Sequence, residues 1–330
     1  MTKQDDGRQL LTRHRPAGLA TYKEVQEDLE GYEQAALAPN TRRMYTSALR
    51  RFKAWCTSQG IEWLPAAPRT VASYLSARAR EGRKAGTINM DRQAIRHAHD
   101  SRGYPSPTTH PAVQRVVRGL HRTKGTRRDK SAAVRVSELR QALDALPVTD
   151  LRAVRNRALL AVGFAGAFRR SELVGIHHEH LAFKHGGCAV FLPSSKTDQE
   201  RKGSTVSLHR TTDRRYCPVS LLRDWLLQSG IEAGPVFRGV GRYGGLREAA
   251  LHPDTVNELV KKHLAPFCED PSSVTAHSLR AGFITEAVAK GVPEHIVQDH
   301  SRHKSRAAMH GYIRDAREFR PDTLGRVLDD

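Results

Sequence analysis

Four stretches in the second half of this 330-residue chain carry polar groups that an ordinary apolar core does not need. The first is AFRRSEL, Ala167 to Leu173, where Arg169 and Arg170 stand between an apolar helical run and the start of another helix. An arginine there is either paired with an acid or aimed at an anion. Glu172 sits on the same turn and can hold it in a charge-assisted pair, so a structural ion pair is the simpler reading. The second stretch is SSKTDQERKG, Ser194 to Gly203, between two strand-like runs. A lysine in a hairpin loop is ordinarily just solvated, and that is the plain reading of Lys196. The third, TAHSLRAGF, sets His277 and Arg280 three residues apart, which puts them on one face of a helix. That combination suits a single phosphate, with the arginine clamping its oxygens and the histidine moving a proton. The fourth, HSRHKSRAAMHGYIRDA, gathers His300, His303, His310 and Tyr312 in a short helical stretch with Ala307, Ala308 and Ile313 on its apolar face. A tyrosine near the end of a chain is usually an amphipathic residue at the edge of a core. These histidines, like His177, His178 and His180, also raise the question of metal. No HExxH and no cysteine partner accompanies them, and no metal site is expected.

The composition bounds the partners. Lys and Arg outnumber Asp and Glu by 54 to 35, a formal net charge of +19. A chain this basic should meet a polyanion, either nucleic acid or an anionic membrane surface. No apolar stretch approaches the roughly 20 residues needed to span a bilayer, which disfavours the membrane. The polar Met1–Asp6 segment does not read as a signal peptide. Cys56, Cys188, Cys217 and Cys268 lack CxxC spacing, so neither a disulfide framework nor a zinc site is expected. A cytoplasmic, nucleoid-associated protein fits all of this.

The elements that must position those residues follow from periodicity. Residues 1–20 read as a loose arm. In the next region Asn40 or Thr41 can cap a helix on which Tyr45, Leu49, Phe52 and Trp55 recur at helical spacing, with Arg42, Arg43, Arg50, Arg51 and Lys53 mostly elsewhere on its surface. Helical patterns follow at about 68–80, 85–101 and 110–121, together a compact helical bundle. The stretch HRTKGTRRDK (121–130) has no apolar period and reads as a basic linker, able to lie along a phosphate backbone. Beyond it helices are expected at about 136–146, 150–167 and 170–176. A sheet follows from HLAFK (180–184), AVFLP (189–193) and STVSL (204–208), with His185-Gly186-Gly187 as the first turn. Pro218 opens a further helix, and the chain from about 252 onward reads as helical.

Taken in order, Arg169, Lys196, His277 with Arg280, His303, and Tyr312 nine residues later match the active-site signature of the tyrosine recombinase, or phage integrase, family. RRSELVGI resembles its first box, HSLRAGF its second, and HKS followed by GYIR its third. APNTRRMYTSALRRFKAWC is similar to the family's N-terminal core-binding domain and YCPVSLLRDWL to a recurring catalytic-domain helix, so the resemblance covers essentially the whole chain. It implies a mainly α fold: a helical core-binding domain (21–121), a basic linker (122–134), a helical catalytic domain with a small antiparallel β-sheet (135–320), and a C-terminal tail helix (321–330) for contact between protomers. It also implies a reaction in which Tyr312 attacks a DNA phosphodiester to give a 3′-phosphotyrosyl bond, without metal, cofactor or ATP. Arg169 and Arg280 would hold the non-bridging oxygens, His277 would take the tyrosine proton, Lys196 would protonate the leaving 5′-oxygen, His303 would hydrogen-bond the phosphate, and Glu172 would orient Arg169. Arg170 and Lys202 are the neighbouring alternatives to Arg169 and Lys196. His303 is preferred to His300 and His310 by its spacing to Tyr312.

The implied partner is double-stranded DNA with an inverted-repeat core site, held by the two domains as a clamp. Arg42, Arg43, Arg50, Arg122, Lys124, Arg127 and Arg128 would meet its backbone. A homotetramer on DNA, linked by exchange of the tail, is expected, with monomers when free. The short arm argues for simple sites. Two rivals share these features: a type IB topoisomerase, which relaxes DNA with a similar site, and a non-catalytic DNA-binding protein derived from a recombinase. A pure binder would need neither Tyr312 nor Lys196.

Overall fold

The computed structural model describes residues 36–125, 131–193 and 203–317, and the chain divides into two compact units, residues 1–128 and 129–330. In the first unit four α-helices form a bundle: α1 (Pro39–Ser58), α2 (Pro68–Arg80), α3 (Ala85–Asp100) and α4 (Pro111–Lys124). Proline opens three of them, where its missing N–H costs nothing and its fixed φ suits the first turn. The apolar faces meet around Phe52, Val71, Leu75, Ile95 and Val113, all buried, with the Phe52 and Tyr74 rings 4.9 Å apart. Two polar groups at the seams are fully satisfied. Asp91 accepts from Arg51 and Arg78, each at 2.9 Å, which ties α3 to α1 and α2. His99 accepts the Ala66 N–H at Nε2 and bonds the Ile95 carbonyl through Nδ1, so its tautomer is fixed.

The second unit is built around α6 (Leu151–Ala165), which is buried along almost its whole length. Preceding it is α5 (Val136–Asp144), and after it come α7 (Arg170–Val174), the antiparallel sheet β1 (Leu181–Lys184), β2 (Gly187–Leu192), β3 (Ser204–His209), and α8 (Pro218–Ser229). Trp225 of α8 is fully buried and donates its indole N–H to the Val236 carbonyl at 2.8 Å. Strands β4 (Arg238–Val240) and β5 (Leu246–Ala250) form a second, two-stranded sheet. The remaining helices are α9 (Pro253–Leu264), α10 (His277–Ala289), α11 (Glu294–Ser301) and α12 (Arg306–Arg317). Residues 131–136 run beside α10 and the turn before it: Ala132 N–H donates to Ser273 O, Val134 N–H to Ser278 O, and Val136 N–H to Glu286 Oε1. This close approach requires Gly282, since a Cβ there would lie 2.1 Å from the Val134 carbonyl oxygen.

The mainly α fold with a small antiparallel sheet is as expected, with three local differences. The second sheet was not expected, because its strands are half-exposed or exposed and show no apolar alternation. Helix α1 begins at Pro39 with Ala38 as its cap, so Asn40 and Thr41 sit inside its first turn. Helix α4 continues to Lys124, and Arg122 and Lys124 belong to its last turn rather than to an extended linker. The arm 1–20, Arg127, Arg128, Lys196, Lys202 and the tail 321–330 lie outside the described residues.

Gly282→Ala should destabilise the second unit by about 1–3 kcal/mol, the cost of forcing volume into a packed contact. Urea denaturation followed by circular dichroism should show a lower midpoint; an unchanged midpoint would mean that the two backbones can part freely.

Candidate active site

Helix α6 ends at Ala165 and the chain turns sharply before α7 begins. Gly166 permits the turn because a Cβ there would lie 2.1 Å from the buried Phe168 ring, and Ala167 takes a left-handed backbone with φ 45°. The last carbonyls of a helix have no partner within it and carry the negative end of its dipole. Here donors from the far end of the unit cover them. His300 Nε2 bonds Ala165 O at 2.7 Å, Arg302 donates to Gly166 O at 3.1 Å and to Ala167 O at 3.0 Å, and Arg280 donates to Ala167 O at 2.6 Å. The bond to Ala165 O makes His300 a structural residue, and its ring also stacks on Phe283.

Arg169 caps α7. Its own N–H donates to Glu172 Oε2 at 2.9 Å and its guanidinium meets Oε1 at 2.5 Å. Arg302 also donates to Glu172 Oε2, at 3.0 Å. Burial alone would raise the Glu172 carboxyl, but Arg302 and then Arg169 outweigh it and hold the group below the usual carboxylate range. Arg170 points elsewhere, to Asp254 at 2.7 Å on the surface. The structure therefore puts Arg169, not Arg170, beside the other site residues.

Arg280, on the first turn of α10, is fully buried with no salt bridge to a carboxylate among the described residues, and its Nη2 stands 3.3 Å from the His303 ring. Burial first, then the neighbouring Arg169 and Arg302, push its pKa down to about 9, which still leaves it charged at neutral pH. His303 follows a Schellman-type helix end in which His303 N–H donates to Gln298 O and Arg302 N–H to Asp299 O. Glycine is the usual residue at the left-handed position of that motif, yet Arg302 occupies it with φ 57°. For a residue with a Cβ this costs about 1 kcal/mol. Ser301 Oγ lies 2.7 Å from His303 Nδ1 and fixes the ring. Burial, then Arg280 and Arg169, push His303 down to about 3, so its imidazole is neutral.

Tyr312 is on α12, held by Met309 and Ile313, which pack with Ile284, Val288 and Val297. Its hydroxyl is 2.6 Å from His277 Nε2, and both the His277 and His303 rings stand 6.1 Å from its ring. Partial burial, then Arg280 and Arg169, hold His277 below its ordinary value. A neutral imidazole can therefore accept the phenolic proton directly.

The structure thus brings together Arg169, Glu172, His277, Arg280, His303 and Tyr312. Lys196 and the His310 side chain fall outside what the structure describes. Sequence reasoning missed Arg302 and Ser301. Among these groups, three guanidiniums face one carboxylate while the two histidines stay neutral. Such a site is short of negative charge and suited to a phosphate. Of the residues expected on DNA, Arg42, Arg43, Arg50, Arg122 and Lys124 are exposed. No described helix is long and apolar enough to cross a membrane.

Comparison with known proteins points the same way. The model of the Phage integrase family matches residues 132–318, and that of the phage integrase N-terminal SAM-like domain matches residues 28–100. The chain is 32% identical over 295 residues to the integrase/recombinase xerD homolog of Selenomonas ruminantium, covering 88% of this chain and 86% of that protein. It is 26% identical over 284 residues to tyrosine recombinase XerD of Chlorobaculum tepidum, covering 85% and 87%. Among solved structures, the XerH site-specific recombinase bound to palindromic difH substrate, in a post-cleavage complex, has a similar fold. The TM-score is 0.63 at 17% identity, over 86% of this chain and 78% of that one.

The lowered histidines have a stability consequence. Below their ordinary value of 6.5 the unfolded chain binds protons that folded His277, His300 and His303 refuse. Stability therefore falls as pH drops, starting above the carboxylate range. Melting temperatures measured from pH 6.5 down to about 5 should decline, and His303→Gln should make that decline shallower. An unchanged slope in the variant would place the proton uptake elsewhere.

Proposed function

The chain belongs to the phage integrase family and is a site-specific tyrosine recombinase, and on that premise we propose that Tyr312 cuts and rejoins DNA through a covalent 3′-phosphotyrosyl link. The observation that carries this reading is the 2.6 Å contact between the Tyr312 hydroxyl and His277 Nε2, beside a buried and carboxylate-poor Arg280. His277 takes the phenolic proton as the oxygen attacks phosphorus. Arg169 and Arg280 hold the non-bridging oxygens, where negative charge gathers in the transition state. His303 hydrogen-bonds the same phosphate, and Glu172 orients Arg169. Lys196 protonates the departing 5′-oxygen. The phosphotyrosine keeps the energy of the phosphodiester, so a 5′-hydroxyl from the partner strand can reverse the step without ATP or metal. The intramolecular His277–Tyr312 contact supports attack in cis.

The DNA partner in this reading is a duplex core site with inverted repeats, and the XerH structure on a palindromic substrate supports it. Arg42, Arg43 and Arg50 on α1, and Arg122 and Lys124 at the end of α4, contact its backbone together with Arg127 and Arg128. Four protomers assemble on paired sites through exchange of the 321–330 tail, in the cytoplasm with the nucleoid.

A duplex nicked beside the cut site tests the chemistry, because the released fragment diffuses away and the enzyme stays attached. Wild type should be trapped covalently, Tyr312→Phe should not, and Lys196→Ala should slow trapping by about 10²–10⁴-fold. An untrapped wild type would overturn the reading. Binding measured over a range of salt should give a log–log slope of about −0.9 per phosphate neutralised, made less steep by Arg42→Ala and Arg43→Ala. Truncation before Pro321 should abolish synapsis while single-site binding survives; intact synapsis would rule out the exchanged tail.

A further inference from the structure

Arg302 has no role in the chemistry just described, yet its placement is the most constrained in the site. It occupies a left-handed backbone position that glycine fills at least cost. Its side chain is only 8% exposed and lies over the Phe168 ring, 5.1 Å from its centre. Its Nε is buried with no hydrogen-bond partner among the described residues. A helix end alone would be better served by glycine, so the guanidinium must be what the position is kept for.

The four acceptors of its terminal nitrogens show where it acts. One end of the fork returns to His300 O at 2.7 Å, fixing the turn that carries His303. The rest reaches across to Gly166 O, Ala167 O and Glu172 Oε2, all on the corner that carries Arg169. We propose that Arg302 is a positioning residue: it shares the Glu172 carboxylate with Arg169 and pins the His303–Tyr312 side of the site to the Arg169 side. The inference rests on the reading that Tyr312 cleaves DNA.

Charge explains why sharing matters. If Arg169 were the sole counterion of a buried Glu172, that pair would be neutral and Arg280 would meet the phosphate alone. With Arg302 in place, the four groups keep two positive charges, matching the two negative ones that a phosphodiester and an attacking phenolate bring. The planar fork matters too, because a lysine ammonium cannot span two carbonyls and a carboxylate in fixed directions. The charged groups facing Glu172 are Arg169 from its own turn, Arg302 from the end of α11, and Arg280 from α10.

Single-turnover trapping on the nicked duplex tests this with Arg302→Gly, Arg302→Lys, Glu172→Gln and the Arg302→Gly/Glu172→Gln double variant. Glycine suits the backbone and Ala167 O keeps its bond from Arg280, but Gly166 O loses its donor, so Arg302→Gly should melt at a lower temperature while still folding and binding the core site. Its cleavage should slow by about 10–100-fold, as for a misaligned reactive pair. Arg302→Lys should recover part of that loss. Without Arg302, Glu172 loses its strongest stabilising cation and protonates at higher pH as the pH falls. The acid limb of the Arg302→Gly rate profile should therefore move upward in pH. The double variant should be no slower than Glu172→Gln, because both changes break one interaction. Wild-type cleavage by Arg302→Gly, or a double variant whose loss is the product of the single losses, would overturn the proposal. Should Arg302→Gly fail to fold, the Arg302→Lys rate decides: a loss with a raised acid limb supports the proposal, and wild-type behaviour defeats it. If wild type itself traps no DNA, the cleavage reading fails first and this inference with it.

Discussion

The site hangs on the broken end of α6. A helix that stops inside a core leaves carbonyls that water cannot reach, and Ala165, Gly166 and Ala167 present three in succession. The donors that satisfy them are His300, Arg302 and Arg280, drawn from α10 and α11. A need for hydrogen bonds at one place therefore fixes segments more than a hundred residues apart in sequence. Arg157 does the same on a smaller scale, donating from α6 to Leu146 O past the end of α5 and to Arg215 O. Arg157 and Arg280 are buried guanidiniums that give protons to backbone carbonyls, with no salt bridge to an acid among the described residues. At the α6 corner that surplus positive charge becomes the anion site.

The same surplus governs the histidines. His277 and His303 lie among cations, and a second positive charge on either would be opposed by Arg169 and Arg280. The site thus holds its imidazoles neutral by the means that let it hold a phosphate. In the proposed reaction a phosphodiester would supply the counter-charge to these guanidiniums. An anion held there would also ease protonation of His277.

Much of this was legible in the sequence. The three-residue spacing of Arg169 and Glu172, and of His277 and Arg280, is short-range and survives into the structure as a cap on α7 and the first turn of α10. Helix positions in both units followed from apolar periodicity, which holds wherever one face is buried. What stayed hidden had no local signal. Arg302 sits in SRHKSR, where one more arginine in a basic stretch reads as a surface charge, and only its left-handed backbone and distant partners mark it out. Strands β4 and β5 lie at the surface, so no alternation marks them, although Gly241 and Gly244 flank a turn that could have been read. The start of α1 was misplaced because Pro39 is a stronger opening residue than the Asn and Thr that follow it.

The stitching of residues 131–136 along α10 has a mechanical consequence. Val134 N–H donates to Ser278 O on the helix that carries His277 and Arg280, flanked by Ala132 N–H to Ser273 O just before that helix and Val136 N–H to the Glu286 carboxylate, and only glycine fits beneath the Val134 carbonyl. The anchor has no slack. A pull along residues 131–136 is passed to α10 at Ser278, one residue from His277 and two from Arg280. Residues 131–136 are thus fastened to the helix that holds two of the candidate site's side chains, and a change in one cannot be made without moving the other.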